Sequence, residues 1–508
     1  MFEHESAFEK ALIAVLQTKG WEQQVLISPT HQQLLDNWAS ILFANNRGID
    51  RMNDVPLTQG EMQQIMEQIA YLHTPLGLNG FINGKTVTIK RDNPLDSLHL
   101  GREVSLKIYD RQEIAAGQSR YQIAQQVPLL RGAPLTHDRR SDLLLLINGM
   151  PVIHIELKRS GIPVYQACNQ IEKYAHEGLF TGLFSLVQIF VAMEPAETLY
   201  FANPGPDGKF NRDYYFHWAD FNNDPINAWD RIATDLLSIP MAHQLIGFYT
   251  VADTADGVLK VMRSYQYYAA NAISVRVAKR DWEDRSQLGG YIWHTTGSGR
   301  TMTSFKSAQL IANSNDADKV VFLMDRIELG SQSLDKYRAY ADDSDDVQAT
   351  ESTHTLISKL KSSDPKQTLI VTSIQKMSNI KHEESGLYAY DIEQMTSNDD
   401  MVVGYDLLNE PVCANDNDVK ALNALYRETV AAIRQVDPHH IIFLEGDQWS
   451  IDFSKMDAPF DVSVKQKGTG SLLHGYSLAQ KRAGIVQARP GRSGYFCSAH
   501  VRKHMQDN

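Results

Sequence analysis

One stretch of the sequence, SDLLLLINGMPVIHIELK at 141–158, constrains the fold of this chain most strongly. Two runs rich in aliphatic residues flank Asn148-Gly149, and an Asn-Gly pair between such runs is the strongest short-range signal of a β-hairpin. A hairpin centred near Gly149 makes Asp142 and Glu156 opposite neighbours on its two strands. The sequence therefore predicts a hairpin that brings two carboxylates together at its open end.

A lysine joins the two carboxylates at this end of the hairpin. Because side chains alternate along a strand, Lys158 shares a face with Glu156, while the opposite face is apolar and buried (Ile153, Ile155 and Leu157). Two close carboxylates repel unless a cation lies between them, so the pattern predicts a Mg²⁺ site made by Asp142 and Glu156. The alternative from spacing alone is a surface strand that carries an ordinary Glu–Lys pair.

The segment that contains the hairpin also matches a known motif order. INGMPVIHIELKRSGIPVYQACNQIEKY resembles the nuclease domain of the motor/endonuclease subunit of type I restriction enzymes, in which a hydrophobic strand, an NG-P turn, ELK and a Q-xxx-Y helix follow one another. That family has the PD-(D/E)xK nuclease fold. The resemblance implies that Asp142 and Glu156 are metal ligands and that Lys158 is the catalytic lysine.

The same resemblance adds three residues on two helices. Gln170 and Tyr174 match the Q-xxx-Y motif and lie four apart on a helix predicted from about 164 to 176. Glu9, in an amphipathic helix predicted over 6–17, resembles the acidic residue of the family's first helix. The alternative for each is an ordinary polar or solvated position on a helix surface.

From about residue 261 strands and helices alternate, which predicts a parallel sheet with crossover helices. Within this segment, a Gly-rich turn between a strand and a helix has the form of a phosphate-binding loop, but Arg300 stands where the P-loop pattern has lysine. A chance Gly-Ser-Gly turn is the alternative. The bulkier guanidinium attracts phosphate but positions it differently from an ammonium.

This segment resembles the first motor domain of the same restriction subunit, a RecA-like domain of superfamily 2 helicases. RSYQYYAA at 263–270 is similar to the adenine-contacting Q-motif, and IWHTTGSG is near-identical to the family's loop. The resemblance implies an ATP site that consists of Gln266, Thr296, Gly297, Ser298, Gly299, Arg300 and Thr301. Because Arg300 replaces lysine and the acidic D-E-x-H motif does not follow TLIVTSIQK, we expect ATP binding with little hydrolysis and no DNA translocation.

The last quarter of the chain has a different character. Residues 387–460 resemble a middle piece of family-5-type, cellulase-like glycoside hydrolases, which are TIM barrels, with a strand at 401–408, a helix near 418–436 and a strand at 440–445. The resemblance makes Glu410 of the NEP motif a candidate acid/base, for which the nucleophilic partner carboxylate is not found in the sequence. The alternative is a strand-end carboxylate without a catalytic role.

These observations predict an α/β chain in four parts: a PD-(D/E)xK nuclease domain at 1–260, a partial RecA-like motor domain at 261–386, a TIM-barrel fragment at 387–460, and a basic, poorly ordered tail at 461–508. The net charge of −12 disfavours a histone-like protein but permits a local basic DNA groove. Three widely spaced cysteines favour a reducing compartment, and no signal peptide or long apolar run is apparent. We therefore expect a cytoplasmic protein without a membrane anchor.

The function expected from the resemblance is Mg²⁺-dependent cleavage of double-stranded DNA by the ATP-binding subunit of a type I restriction–modification system. In that family, separate methyltransferase and specificity subunits act as partners. Two other interpretations stay open at this point: a cellulase-like glycoside hydrolase supported by 387–460, and a nonfunctional fusion that folds only at its N-terminal end.

Overall fold

The computed structural model describes residues 2–84, 86–111, 119–129, 139–205, 208–279, 292, 294, 297–314, 316–324, 327–342, 344–373, 376–377, 404–406, 413–436 and 441–443. Internal contacts divide the chain into two compact units. The first consists of the described residues of 1–218 and 225–263, and the second of those of 219–224 and from 264 onwards.

The first unit is a mixed α/β structure. Its helices are α1 (Glu5–Thr18), α2 (His31–Asn46), α3 (Gln59–Tyr71), α4 (Pro75–Asn83), α5 (Tyr165–His176), α6 (Trp229–Asp235) and α7 (Met241–Gly247). Its strands are β1 (Val25–Ile27), β2 (Thr86–Lys90), β3 (Glu103–Lys107), β4 (Tyr121–Pro128), β5 (Arg140–Ile147), β6 (Met150–Leu157), β7 (Ile189–Glu194), β8 (Glu197–Ala202), β9 (Thr250–Asp253) and β10 (Val258–Val261).

A six-stranded sheet forms the centre of this unit, in the order β1-β4-β5-β6-β7-β8. The pairs β4–β5, β5–β6 and β7–β8 are antiparallel, whereas β1–β4 and β6–β7 are parallel. The parallel β6–β7 pair requires a crossover, which contains α5. The sheet therefore carries the predicted hairpin at its centre, with the Q-xxx-Y helix in the connection that follows it.

The hairpin turn lies where the Asn-Gly signal predicts it. Asn148 and Gly149 both have positive φ, 51° and 85°, as a two-residue primed turn requires. A Cβ on Gly149 would lie 2.8 Å from the Cα of Trp38, so the close approach of α2 adds a second reason for glycine. Helix packing and turn geometry thus select the same residue.

Both faces of the hairpin strand β6 are buried, whereas the alternation in the sequence predicted one covered face. Every residue of β6 is buried, and the charged end is no exception, since Glu156 has no exposed surface and Lys158 is 9% exposed. Contacts of β6 with α1 and α5 account for part of this cover. Glu156 therefore lies in a far less polar environment than a solvated strand would give it, whereas Asp142 on β5 is half-buried.

The second unit contains the alternation of strands and helices that the sequence predicted. Its helices are α8 (Ser264–Ala278), α9 (Arg300–Ser314), α10 (Ile327–Tyr340), α11 (Thr353–Lys361) and α12 (Asp416–Val436). Its strands are β11 (Val320–Met324), β12 (Val347–Ala349), β13 (Leu369–Ser373), β14 (Gly404–Asp406) and β15 (Ile441–Phe443).

These five strands form one wholly parallel sheet in the order β12-β13-β11-β14-β15. The strands predicted at 401–408 and 440–445 correspond to β14 and β15, and the helix predicted near 418–436 corresponds to α12. β14 pairs directly with β11, so the described strands of 387–460 share a sheet with those of the preceding segment. The basic tail from 461 lies outside the described residues.

No helix among the described residues is both long enough and apolar enough to cross a membrane.

Candidate active site

The open end of the β5–β6 hairpin brings two carboxylates together. Leu143 pairs with Ile155, and this register places Asp142 opposite Glu156 one position further along. Asp142 Oδ2 accepts a hydrogen bond of 2.8 Å from the backbone N–H of Leu157. The aspartate is therefore fixed against the neighbouring strand by its own side chain.

Glu156 has one oxygen bonded to a lysine and one oxygen without a partner. Its Oε1 accepts a hydrogen bond of 3.3 Å from Lys158 Nζ, whereas its buried Oε2 has no hydrogen-bond partner among the described residues. Lys158 also donates to the carbonyl of Leu157 at 2.7 Å and lies 3.8 Å from a carboxylate oxygen of Glu5. A buried carboxylate oxygen without a hydrogen bond is costly, and a bound cation or water would satisfy it.

Burial raises the pKa of both carboxyl groups. The pKa of Asp142 rises to about 8, mainly through burial and then through the charge of Glu156. Burial raises the pKa of Glu156 to about 7, against the opposing effect of Lys158. The pair therefore retains a proton near pH 7 until a cation replaces it.

A buried histidine lies behind Glu156. His154 Nδ1 is 2.9 Å from Ser141 Oγ, and His154 Nε2 is 3.5 Å from Glu156 Oε2. Burial lowers the pKa of His154 to about 4, so the imidazole is neutral at pH 7. His154 is not part of the sequence motif. The only sequence signal that it lies near Glu156 was its position two residues earlier on the same strand, which places both side chains on one face.

The other predicted residues lie on α5 and α1. Gln170 Nε2 donates to Tyr174 Oη at 2.7 Å, and this hydroxyl donates to the carbonyl of Arg140 at the start of β5. Burial raises the pKa of Tyr174 to about 12, and the charge of Glu156 adds to the effect. Glu9 is 4% exposed and accepts a hydrogen bond of 3.0 Å from Gln126 Nε2. The structure thus brings Gln170, Tyr174 and Glu9 to the hairpin, together with Gln126, which no motif indicated.

The acidic residues suit a Mg²⁺ ion that keeps part of its water shell. No group of three or more His, Cys, Asp or Glu side chains with metal-binding geometry occurs in the described part of the chain. Mg²⁺ in proteins is commonly held by one or two carboxylates and several waters. Asp142 and Glu156, with raised pKa values and the unpaired Oε2, fit that type of site.

In the second unit, a glycine-containing loop precedes α9. Gly297 and Gly299 have positive φ of 72° and 84°, and α9 begins at Arg300. Successive backbone N–H groups in such a turn at a helix N-terminus favour an anion. Thr301 lies in the first turn of the helix, while Thr296 is outside the described residues.

Side chains from α8 hold this loop by its carbonyl groups. Tyr265 Oη donates to the carbonyl of Ser298 at 2.5 Å, and Gln266 Nε2 lies 3.2 Å and 3.3 Å from the carbonyls of Ser298 and Gly299. His294 Nδ1 is 2.8 Å from the hydroxyl of Ser298. A Cβ on Gly299 would lie 2.1 Å from Gln266 Nε2, so the glycine makes room for the amide. Tyr265 and His294 were not predicted as site residues.

Glu410, the candidate glycosidase residue, lies outside the described residues. Nothing in the described part of the chain therefore bears on its surroundings.

Three family models match successive parts of the chain. The type I restriction enzyme R protein N terminus matches residues 4–209, the SWI2/SNF2 ATPase matches 265–407, and the cellulase family (glycosyl hydrolase family 5) matches 391–485. The first match contains the acidic site, and the second begins at Tyr265 and contains the glycine loop. The resemblances found in the sequence are thus confirmed in the same order along the chain.

Curated relatives agree with the first of these matches. The endonuclease subunit of a type I restriction enzyme from Staphylococcus saprophyticus is 33% identical over 400 residues, which are 78% of this chain and 39% of the relative. A corresponding subunit from Staphylococcus aureus strain MSSA476 is 32% identical over 380 residues, 74% of this chain and 37% of the relative. The chain thus spans about two fifths of the length of these relatives.

A shorter relative is covered over most of its length. A Mycoplasma pneumoniae protein, named as the C-terminal part of a type I restriction enzyme endonuclease subunit, is 31% identical over 182 residues, which are 35% of this chain and 86% of the relative. Together with the acidic hairpin and the N-terminal family match, this similarity shows that the chain belongs to the family of type I restriction enzyme endonuclease (R) subunits.

Proposed function

We propose that this chain is the Mg²⁺-dependent DNA-cleaving and ATP-binding part of a type I restriction–modification enzyme. The observation that carries the proposal is the cluster of half-buried Asp142 with buried Glu156 and Lys158 at the end of a central hairpin, with Glu156 Oε2 unpaired. The substrate is double-stranded DNA, and the partners are methyltransferase and specificity subunits. Related proteins are named endonuclease subunits of type I restriction enzymes.

The arrangement of elements around this cluster supports a PD-(D/E)xK nuclease fold for residues 1–260. The acidic residues come from adjacent antiparallel strands, and the next strand, β7, joins β6 in parallel after α5. Asp142 and Glu156 would hold Mg²⁺, which when bound stabilises negative charge on a phosphate and lowers the pKa of a bound water.

The protein groups of the cluster have separate tasks. Leu157 N–H fixes the aspartate, and the Lys158 ammonium lies beside Glu156, where it can hold and orient a water molecule near the scissile phosphate. Tyr174 and Gln170 form one hydrogen-bonded pair anchored to the start of β5. Burial excludes bulk water, so each of these charges acts more strongly than it would at the surface.

For residues 261–386 we propose a RecA-like ATP-binding domain with little hydrolytic activity. The parallel sheet and the loop before α9 support phosphate binding, and Gln266 lies beside that loop. Arg300 supplies positive charge at the position of the P-loop lysine, with a planar guanidinium in place of a compact ammonium. ATP is therefore expected to bind weakly.

Glycoside hydrolysis is the less supported alternative. The cellulase family model matches 391–485, but of this segment the structure describes only 404–406, 413–436 and 441–443. Retaining hydrolysis needs two carboxylates about 5 Å apart, and Glu410 is outside the described residues. DNA cleavage is the function that a cluster of described side chains supports.

The decisive test replaces each carboxylate in the full chain. Asp142→Ala and Glu156→Ala should each reduce Mg²⁺-dependent cleavage of plasmid DNA to background, because the metal loses one of its two protein ligands. Circular dichroism and ATP binding should stay as in the wild type. Retained cleavage by both variants would contradict the assignment, as would cellulose hydrolysis that disappears in Glu410→Gln.

A further inference from the structure

A strained residue lies inside a central strand next to the acidic site. Gln126 in β4 has a φ of 53°, in the left-handed region that residues with a Cβ rarely adopt. The ladder between β4 and β5 pairs Gln125 with Leu143 and Val127 with Ser141, and it omits the intervening position, at which Gln126 meets Asp142. Strain of this kind persists where the surrounding structure compensates for it, and it is concentrated at functional sites.

The side chain that this backbone conformation presents bonds to two carboxylates. Gln126 Nε2 lies 3.0 Å from Glu9 Oε1 and 3.5 Å from Asp142 Oδ1. One amide nitrogen carries two hydrogens, so a single neutral group can donate to both acids. A neutral donor between two acidic side chains lowers their mutual repulsion without competing with a bound cation.

Asp142 is consequently held at both of its oxygens. Its Oδ2 accepts the 2.8 Å hydrogen bond from Leu157 N–H on β6, and its Oδ1 faces Gln126 on β4. The plane of the carboxylate is therefore set jointly by the strands on either side of β5. Glu9 on α1 is tied to the same amide, which connects the first helix to the acidic pair.

We infer that Gln126 is a positioning residue of the nuclease site, and that its strained backbone is retained because it directs the amide to Asp142 and Glu9. This inference rests on the proposed function and extends it to a residue that acts through Asp142 and Glu9. Outer partners of metal-binding carboxylates commonly change metal affinity or activity by about 10- to 100-fold when they are replaced.

The test is made in the full chain and distinguishes the effect of losing the amide donors of Gln126 from the effect of relieving its backbone strain. Gln126→Met keeps the length of the side chain and the left-handed backbone but removes the N–H donors. Gln126→Gly removes the donors and also relieves the strain, because glycine adopts positive φ readily. Gln125→Gly, one residue earlier in the same strand, is the control, since it introduces glycine at an ordinary strand position.

Two quantities are measured: the affinity for Mn²⁺, used as a probe for the oxygen-ligand site and followed by electron paramagnetic resonance, and the unfolding temperature without metal. Both Gln126 variants should bind Mn²⁺ roughly tenfold more weakly. Gln126→Gly should unfold at or above the wild-type temperature, whereas Gln125→Gly should unfold at a lower temperature and keep wild-type Mn²⁺ affinity.

Wild-type Mn²⁺ affinity in Gln126→Met and Gln126→Gly would overturn the inference and leave the proposed nuclease site intact. A fall in unfolding temperature for Gln126→Gly equal to that of Gln125→Gly would overturn the role of strain. If the wild-type chain itself failed to bind Mn²⁺, both the proposed metal site and the inference that rests on it would be contradicted.

Discussion

The acidic site of the first unit and the glycine loop of the second are built on opposite principles. At the acidic site, the side chains at the end of two paired strands are the groups expected to carry the chemistry, and the backbone N–H of Leu157 holds one of them in place. At the loop, the backbone N–H groups are the expected phosphate ligands, and the side chains of Tyr265 and Gln266 hold the loop by its carbonyls.

The two arrangements respond differently to substitution. Chemistry carried by side chains is lost when one functional group is removed, and the strands that support it remain. Phosphate binding by backbone N–H groups survives most single side-chain replacements. Each supporting contact that is lost lowers the binding affinity only by the free energy of that contact. We therefore expect large, separable effects at the acidic site and small, graded effects at the loop.

After substitution of the two carboxylates, substitution of Lys158 is expected to have the largest effect on the rate of DNA cleavage. Lys158→Ala should reduce the rate of DNA cleavage by about 10²- to 10⁴-fold, the range typical of a positioned proton-transfer or water-orienting group. Mn²⁺ affinity should change much less, because both carboxylates remain. The rate under saturating metal and the Mn²⁺ dissociation constant are the two measurements.

Loss of the Lys158 ammonium also removes a charge that lowers the pKa of Glu156. The residual activity of Lys158→Ala should therefore shift to higher pH. Unchanged cleavage, or a loss of Mn²⁺ binding as large as the loss of rate, would assign the lysine a purely structural role. Nucleotide affinity at the loop serves as the internal control and should not change.

The pH dependence of stability gives the next largest effect. Asp142 and Glu156 have pKa values of about 8 and about 7 in the fold, above the values of 3.8 and 4.5 for unburied groups. The folded chain therefore binds more protons than the unfolded chain, and the metal-free stability should fall as pH rises from about 4 to about 8.

Urea unfolding of the metal-free chain between pH 4 and pH 8.5 measures this slope. His154 acts in the opposite direction below about pH 6.5, because its pKa is lowered to about 4 in the fold. The comparison with Asp142→Asn/Glu156→Gln removes most of that contribution, since His154 is present in both chains, although loss of the Asp142 charge lowers the pKa of His154 further in the variant. Equal slopes for the wild type and the double variant would show that the carboxyl pair is not perturbed by burial, and added Mg²⁺ should flatten only the wild-type slope.

The elements that the sequence predicted best are those specified by local patterns. The Asn148-Gly149 turn follows from turn chemistry, and α9, β11 and β13 belong to the alternation of strands and helices predicted from about residue 261. The pairing of Asp142 with Glu156 was predicted from a register centred on Gly149. In the structure the turn pairs Ile147 with Met150, and a shift of register between Leu145 and Leu146, which the sequence did not indicate, sets the pairing at the open end.

Contacts between segments distant in sequence were not predictable in this way. Gln126 approaches Glu9, 117 residues away, and Tyr265 approaches Ser298, 33 residues away. Burial of the charged end of β6 likewise depends on helices that pack over it, and strand alternation alone indicates one covered face. Sequence patterns specify which residues share an element, whereas packing decides which elements meet.

The smallest expected effect is at the loop, where one hydroxyl can be removed without a change in packing. Tyr265→Phe keeps the buried ring and deletes the hydrogen bond to the Ser298 carbonyl, which Gln266 continues to contact. A single hydrogen bond contributes about 1 kcal/mol, so the affinity for a fluorescent ATP analogue should fall roughly fivefold.

Tyr267→Phe, on the same helix, is the matched control and should bind the analogue as the wild type does, and DNA cleavage should be unchanged in both variants. A loss of binding far beyond tenfold in Tyr265→Phe would mean that the loop depends on this one contact, as the acidic site depends on each of its side chains. Unchanged binding would mean that the backbone holds its shape without support from α8. Only a small loss of affinity for the ATP analogue is consistent with a loop whose N–H groups bind phosphate and whose conformation is stabilised by several side chains together.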